Sequence, residues 1–143
     1  MNNEKLIKKV DVAISDQCYK RGYAAPVDVL LQIGVLSKEK YKEWQFGHVD
    51  YLERVCNTNL SKLSLILHEI RVCARKKQLK PSVSDYKQWG KKNKKIPLRF
   101  SKYGNPEIEK QYSTHYVDKK RIEQPKEKKQ KEADVSDIQD KDE

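Results

Sequence analysis

The clearest periodic pattern of apolar residues lies in the middle of the chain. Apolar side chains recur there every three or four residues, which places them on one face of an α-helix and predicts a central helix over residues 60–79. This face consists of Leu63, Ile66, Leu67, Ile70, Cys73 and Ala74. Pro81, just beyond the predicted helix, prevents the helix from continuing.

Shorter patterns of the same kind predict the other helices. Proline suits the first turn of a helix, as at Pro26 and Pro106, and a preceding serine or asparagine caps the helix, as at Ser37 and Asn105. We therefore expect helices over residues 4–21, 27–33, 38–46, 49–56 and 105–117, and one or two helical turns that reach residue 89.

Residues 96–101 show a different pattern, because Ile96, Leu98 and Phe100 alternate with other residue types at the period of a β-strand. A single strand leaves its backbone groups unpaired, so it needs a partner, and a short hairpin within residues 91–104 is one arrangement that supplies it. The predicted fold class is mostly α, a compact bundle of five to seven helices with one short β element near residues 96–101.

The composition changes after residue 118. Residues 119–143 contain four apolar side chains, too few to offset a backbone ordering cost of roughly 1 to 2 kcal/mol per residue. We predict a helical domain over residues 1–118 and a disordered tail over residues 119–143. The tail is basic in its first half and acidic in its second half.

The sequence also bears on location. No stretch approaches the roughly 20 apolar residues that cross a bilayer, and the amino end lacks the apolar block of a signal peptide. These features predict a cytoplasmic protein that does not associate with a membrane.

Positive charge is concentrated in one segment. The 143 residues include 31 Lys and Arg against 21 Asp and Glu, a net charge of +10. Residues 71–102 alone carry twelve basic residues and one acid, a net charge of +11. We call residues 71–102 the basic segment. Its basic residues are Arg71, Arg75, Lys76, Lys77, Lys80, Lys87, Lys91, Lys92, Lys94, Lys95, Arg99 and Lys102.

The basic segment predicts a polyanionic partner. Its cations are interleaved with Tyr86, Trp89, Phe100 and Tyr103, although Trp89 and Phe100 taken singly are expected in the core. Cations neutralise phosphates and aromatic rings stack on bases, so the combination favours binding to DNA or RNA. The alternative is a protein-interaction adaptor whose basic surface binds an acidic protein.

A helix-turn-helix is a second hypothesis for the same function. Residues 51–56 would form its first helix, residues 57–59 its turn, and the helix from residue 60 its second helix. Side chains in the first turns of the second helix would then reach base edges in the major groove. The candidates are Asn59, Ser61, Lys62 and Ser64. Residues 27–33 and 37–46 form a second candidate pair, and the oligomeric state stays open.

Catalysis and metal binding receive no support from the residue spacing. His48, His68 and His115 are isolated, and neither they nor the three cysteines follow a zinc pattern. The five glycines are also isolated, so no phosphate-binding loop is present in the sequence. We therefore expect a protein without catalytic residues, metal or cofactor.

Overall fold

The computed structural model describes residues 3–90 and 96–120 and confirms a mostly helical fold. The predicted tail lies outside the described residues from residue 121 onward. The helices are α1 (Asn3–Arg21), α2 (Pro26–Gln32), α3 (Lys38–Gln45), a 3-10 helix (Leu52–Val55), α4 (Leu60–Lys76) and α5 (Pro106–Ser113).

The core is built around α4, as its apolar pattern predicts. The six residues of the predicted face are all buried, and α4 packs along α1 through side chains such as Leu6, Val10 and Ile14. Each fully buried aliphatic side chain contributes about 1.5 to 3 kcal/mol relative to an exposed one. The helix ends at Lys76, three residues before the predicted end, and Gln78 then takes a positive φ of 58°.

Helix starts follow the sequence signals closely. Asn59 Oδ1 accepts a hydrogen bond from Lys62 N at 2.9 Å, and Ser37 Oγ accepts one from Lys40 N at 3.1 Å. Asn105 caps α5 in the same way. These side chains satisfy amide groups that have no partner within the helix.

Three strands form an antiparallel sheet that the sequence analysis did not predict. They are β1 (Tyr23–Ala24), β2 (Lys80–Val83) and β3 (Thr114–Val117), in the order β1-β3-β2. The expectation that the last helix runs to residue 117 is wrong, because α5 ends at Ser113 and the chain continues directly into β3. Pairing with two distant segments overrides the helical spacing of the apolar residues there.

The β element predicted near residues 96–101 pairs with the segment just after β2. Gln88 N donates to Ile96 O at 2.8 Å, and Leu98 N donates to Tyr86 O at 2.9 Å. Lys87 and Pro97 thereby form an antiparallel β-bridge. The prediction of helical turns up to residue 89 is therefore wrong, since residues 86–88 are extended and supply the missing partner. Residues 91–95, which connect the two sides, lie outside the described part of the chain.

The backbone at residues 99–102 is held by the preceding helices. Trp44 Nε1 donates to Arg99 O at 2.8 Å, and Leu52 N donates to the same carbonyl at 3.1 Å. Glu53 N donates to Phe100 O at 2.9 Å. The indole of Trp44 and the first amides of the 3-10 helix thus fix the carbonyl groups of this segment.

Two carboxylates fix its amide groups. Glu109 of α5 accepts hydrogen bonds from Phe100 N at 3.0 Å and from Ser101 N at 2.7 Å. Glu53 accepts one from Lys102 N at 2.9 Å and another from Tyr112 Oη at 2.7 Å. Hydrogen bonds to a carboxylate are stronger than those between neutral groups, so α5 and the 3-10 helix clamp residues 99–102 between them.

Removing the Glu109 carboxylate should destabilise the fold. Glu109→Ala leaves two partly buried amides without an acceptor, and we expect the free energy of unfolding to fall by about 2 to 3 kcal/mol. Glu107→Ala, at an exposed first-turn position of the same helix, should cost less than about 1 kcal/mol. Urea unfolding measures the free energy of unfolding of both variants. Equal losses would contradict the stabilising role of the Glu109 carboxylate.

His115 of β3 lies in a partly buried aromatic environment. Its ring stacks on Tyr23 with centroids 5.4 Å apart, and its Nε2 lies 3.0 Å from Tyr86 Oη. Burial lowers the pKa of His115, an effect partly opposed by Asp28 and reinforced by Arg21. The folded protein therefore favours the neutral imidazole.

This lowered pKa predicts a loss of stability in acid. Below the unfolded-state pKa of about 6.5, the unfolded chain binds a proton at His115 more readily than the folded chain does. The free energy of unfolding should consequently fall as the pH drops from 7 toward 5. His115→Gln removes this contribution, so the difference in unfolding free energy between wild type and variant should change over that range. A constant difference from pH 8 to pH 5, measured by urea unfolding, would refute this.

Candidate nucleic-acid interface

Four cations of the basic segment are exposed where α4 ends and β2 begins, and three of them form one group. Arg75 and Lys76 occupy the last turn of α4, and Lys80 opens β2. Arg75 and Lys80 form no ion pair with any residue in 3–90 or 96–120. We call Arg75, Lys76 and Lys80 the basic junction.

Lys77, adjacent in sequence, is tied to α1 instead. Its ammonium lies 3.4 Å from Asp11 Oδ1, and that same oxygen accepts a hydrogen bond from Cys73 Sγ at 3.1 Å. The Cys73 hydrogen bond and the charges of Lys77 and Lys76 hold the pKa of Asp11 below its usual range. Lys77 therefore joins α4 to α1.

Arg71 is also engaged inside the protein. It is half-buried on α4, and its Nη1 donates to Gln111 Oε1 of α5 at 2.9 Å. This contact links α4 and α5.

Three described cations of the basic segment remain, Lys87, Arg99 and Lys102, and they lie on or after the paired residues 86–88 and 96–98. Lys87 Nζ lies 3.9 Å from Asp85, and Lys102 Nζ lies 5.3 Å from the centroid of the Tyr103 ring. Arg99 donates to Ser101 O at 3.0 Å and to Lys102 O, so its guanidinium braces its own loop. The structure thus divides the basic segment into separate groups. Lys91, Lys92, Lys94 and Lys95 lie outside the described residues.

The aromatic residues interleaved with these cations include both buried and exposed side chains. Phe100 is buried as expected, stacked on Tyr112 with centroids 5.5 Å apart. Trp89, expected in the core, keeps 41% of its surface exposed and contacts Phe46, which is 44% exposed. Tyr103 is 79% exposed. The exposed pair of Phe46 and Trp89 was missed because the two residues come from segments that are distant in the sequence.

The four candidate base-reading residues have different surroundings. Asn59 Oδ1 is occupied in capping α4, and Lys62 Nζ donates to Asn3 Oδ1 at 2.6 Å. Ser61 is exposed, and Ser64 lines a cavity. The element before them is a single 3-10 turn of four residues, where a helix-turn-helix has a full first helix.

That cavity is a further feature that the sequence did not indicate. It has a volume of about 300 Å³ and lies between α4, α5 and the loop of residues 101–105. Its apolar walls are Leu60, Leu67 and Ile108. Glu53 of the 3-10 helix, α4 and the continuous stretch of residues 101–111 line it together, so no local pattern encodes it.

The cysteines are poorly suited to nucleophilic chemistry. Burial raises the pKa of Cys56 and of Cys73 to about 12, and burial also raises the pKa of Cys18. A thiol attacks as its thiolate, so these groups are largely unreactive near neutral pH.

The described residues contain neither a candidate metal centre nor a helix that could span a membrane. Residues 3–90 and 96–120 contain no cluster of three His, Cys, Asp or Glu side chains arranged to hold a metal ion. Within these same ranges, no helix combines the length and apolar character needed to cross a lipid bilayer.

Comparison of the chain with protein-family models, with curated proteins and with solved structures finds no match.

The three thiols should react slowly in the folded protein. At pH 8 we expect Ellman's reagent to modify Cys56 and Cys73 at least about a hundredfold more slowly than in 8 M urea, and Cys18 more slowly as well, because unfolding restores pKa values near 8.5. Stopped-flow absorbance measures the rates. A thiol in the native protein that reacts as fast as free cysteine would contradict the inferred burial.

Proposed function

We propose that this protein binds nucleic acid, DNA or RNA, without catalysing a reaction, and that the basic junction contacts the phosphates. The observation that carries the proposal is the exposure of Arg75, Lys76 and Lys80 at one place in the fold, with Arg75 and Lys80 unpaired among the described residues. Asp11 pairs with Lys77 and also attracts Lys76, whereas Arg75 and Lys80 have no carboxylate partner within residues 3–90 and 96–120.

Counterion release supplies the driving force for such an interaction. Each cation that contacts the phosphate backbone releases condensed counterions into solution, whose gain in entropy favours binding and does not depend on base sequence. Arginine and lysine at the same junction supply bidentate and point-charge contacts respectively. The proposed contacts therefore position the protein on the phosphate backbone and do not distinguish one base sequence from another.

Neutralising the junction should weaken binding for all sequences alike. In Arg75→Gln/Lys76→Gln/Lys80→Gln, the slope of log affinity against log salt should become less steep by about 2.7 for duplex DNA, since each lost phosphate contact contributes about 0.9. Fluorescence anisotropy with labelled duplex DNA, single-stranded DNA and structured RNA at several salt concentrations measures the slope. Lys77 is left intact because it holds Asp11.

A matched control removes the same charge elsewhere. Lys38, Lys40 and Lys42 are exposed on α3, and their replacement by Gln lowers the net charge equally. This control should keep most of the affinity. Equal weakening in both triple variants would show that net charge alone attracts the ligand, and unchanged affinity in the junction variant would overturn the assignment.

The exposed aromatic pair favours a second candidate function, that of a protein-interaction adaptor. Phe46 and Trp89 meet edge to face with centroids 5.4 Å apart, and aromatic residues are enriched at protein interfaces. In this case an acidic protein would also contact exposed cations of the basic segment. Retention of an isolated acidic partner after nuclease treatment, and its loss in Trp89→Ala, would favour the adaptor over nucleic-acid binding.

A further inference from the structure

We propose that the cavity between α4, α5 and the loop of residues 101–105 holds one unstacked base of a single-stranded nucleic acid. The inference rests on the proposed nucleic-acid binding and adds to it a class of ligand. It places base recognition at a site separate from the basic junction, which is proposed to contact phosphates.

The volume and the largely apolar lining of the cavity suit a planar, weakly polar ring. Its volume of about 300 Å³ falls at the lower end of the range for small-molecule sites, about 300 to 1,000 Å³. Leu60 and Leu67 of α4 and Ile108 of α5 give it apolar walls. A ring between these helices would bury its faces against aliphatic side chains.

Polar groups with unused hydrogen-bonding capacity line the same cavity. The Gln111 Oε1 atom accepts from Arg71, which fixes the amide so that Nε2 is left as a donor. Asn105 uses Oδ1 to cap α5, which likewise leaves its Nδ2 as a donor. Neither nitrogen, nor the Ser64 hydroxyl, bonds to another residue within the described part of the chain. The edge of a base offers ring nitrogens and carbonyl oxygens as acceptors for such donors.

The mouth of the cavity carries a ring and a charge. Tyr103 lines the cavity with 79% of its surface exposed, and the Lys102 ammonium lies 5.3 Å from its ring centroid. Exposed tyrosine rings stack on bases, and an adjacent cation suits the phosphate of the same nucleotide. The combination matches a nucleotide better than it matches an uncharged apolar ligand.

The loop that carries Tyr103 is fixed before any ligand arrives. Glu53 and Glu109 accept its amides, and Arg99 donates to two of its carbonyls. A site held in its binding geometry loses less entropy when the ligand binds.

Removal of the Tyr103 ring tests the proposal directly. In Tyr103→Ala, affinity for a labelled single-stranded oligonucleotide should fall about 5- to 100-fold, the range expected for the loss of one stacking contact. The salt slope and the affinity for duplex DNA should stay unchanged, because the ring carries no charge and a duplex presents no unstacked base. Tyr103→Phe should bind as wild type does. Tyr19→Ala removes a comparably exposed ring, 73% exposed on α1, and serves as the matched control.

A second variant and a second measurement address the cavity itself. Ser64 lies at an exposed position of α4, so Ser64→Trp should fill the cavity without disturbing the core, and it should weaken single-strand binding as Tyr103→Ala does. Adenosine and uridine monophosphates, titrated into the full chain, should shift the amide resonances of Ser64, Tyr103 and Gln111. The shifts at Tyr103 and Gln111 should disappear in Ser64→Trp.

The outcomes separate this inference from the proposed function. Full single-strand affinity in Tyr103→Ala and Ser64→Trp, together with weakened binding in the junction variant, would overturn the cavity proposal and leave nucleic-acid binding standing. If no oligonucleotide binds but mononucleotides shift resonances at the cavity, nucleic-acid binding and the single-strand inference are both overturned, and the cavity is a site for free nucleotides. If no oligonucleotide binds and no mononucleotide shifts resonances at the cavity, both proposals are overturned and no nucleotide site remains.

Discussion

Glu109 and Glu53 accept the amide groups of residues 100–102, and the arrangement of the carboxyl-terminal half of the fold depends on these hydrogen bonds. The bonded segment has little regular secondary structure of its own, so its backbone polar groups must find partners elsewhere. By supplying them, α5 and the 3-10 helix hold Phe100 against Trp44 and Tyr112 in the core. The same bonds fix Tyr103 and its cavity beside α4.

The distribution of charge follows from how the acids are used. Asp11 is paired with Lys77, while Glu53 and Glu109 accept main-chain amides, so these carboxylates are committed to the fold. Cations of the basic segment exceed the acids near them. Among the described residues, part of the surplus is exposed at the basic junction.

Local signals account for what the sequence predicted. The helices carry their own periodicity and caps, as at Asn59 before α4 and Asn105 before α5. The sheet has no such signal, since β1 is two residues long and β2 contains a proline, and its pairing joins Lys80 to Val117. The contacts of the candidate interface likewise have no local signal in the sequence. Composition located the positive charge, whereas the partners of Arg71 and Lys77, and the cavity wall, depend on contacts between segments that are distant in the sequence.

The position of β3 in the sheet also bears on how the protein is made. A ribosome releases the chain from its amino end, and domains generally fold as their segments emerge. The helices α1 and α4 can pack together once Lys76 has left the exit tunnel. The edge strands β1 and β2 pair only with the central strand β3, which ends at Val117, so both must wait, unpaired, until nearly the whole folded region has been translated. Pro81 within β2 lacks an amide donor, and it makes this waiting strand a poor template for pairing with a neighbouring nascent chain.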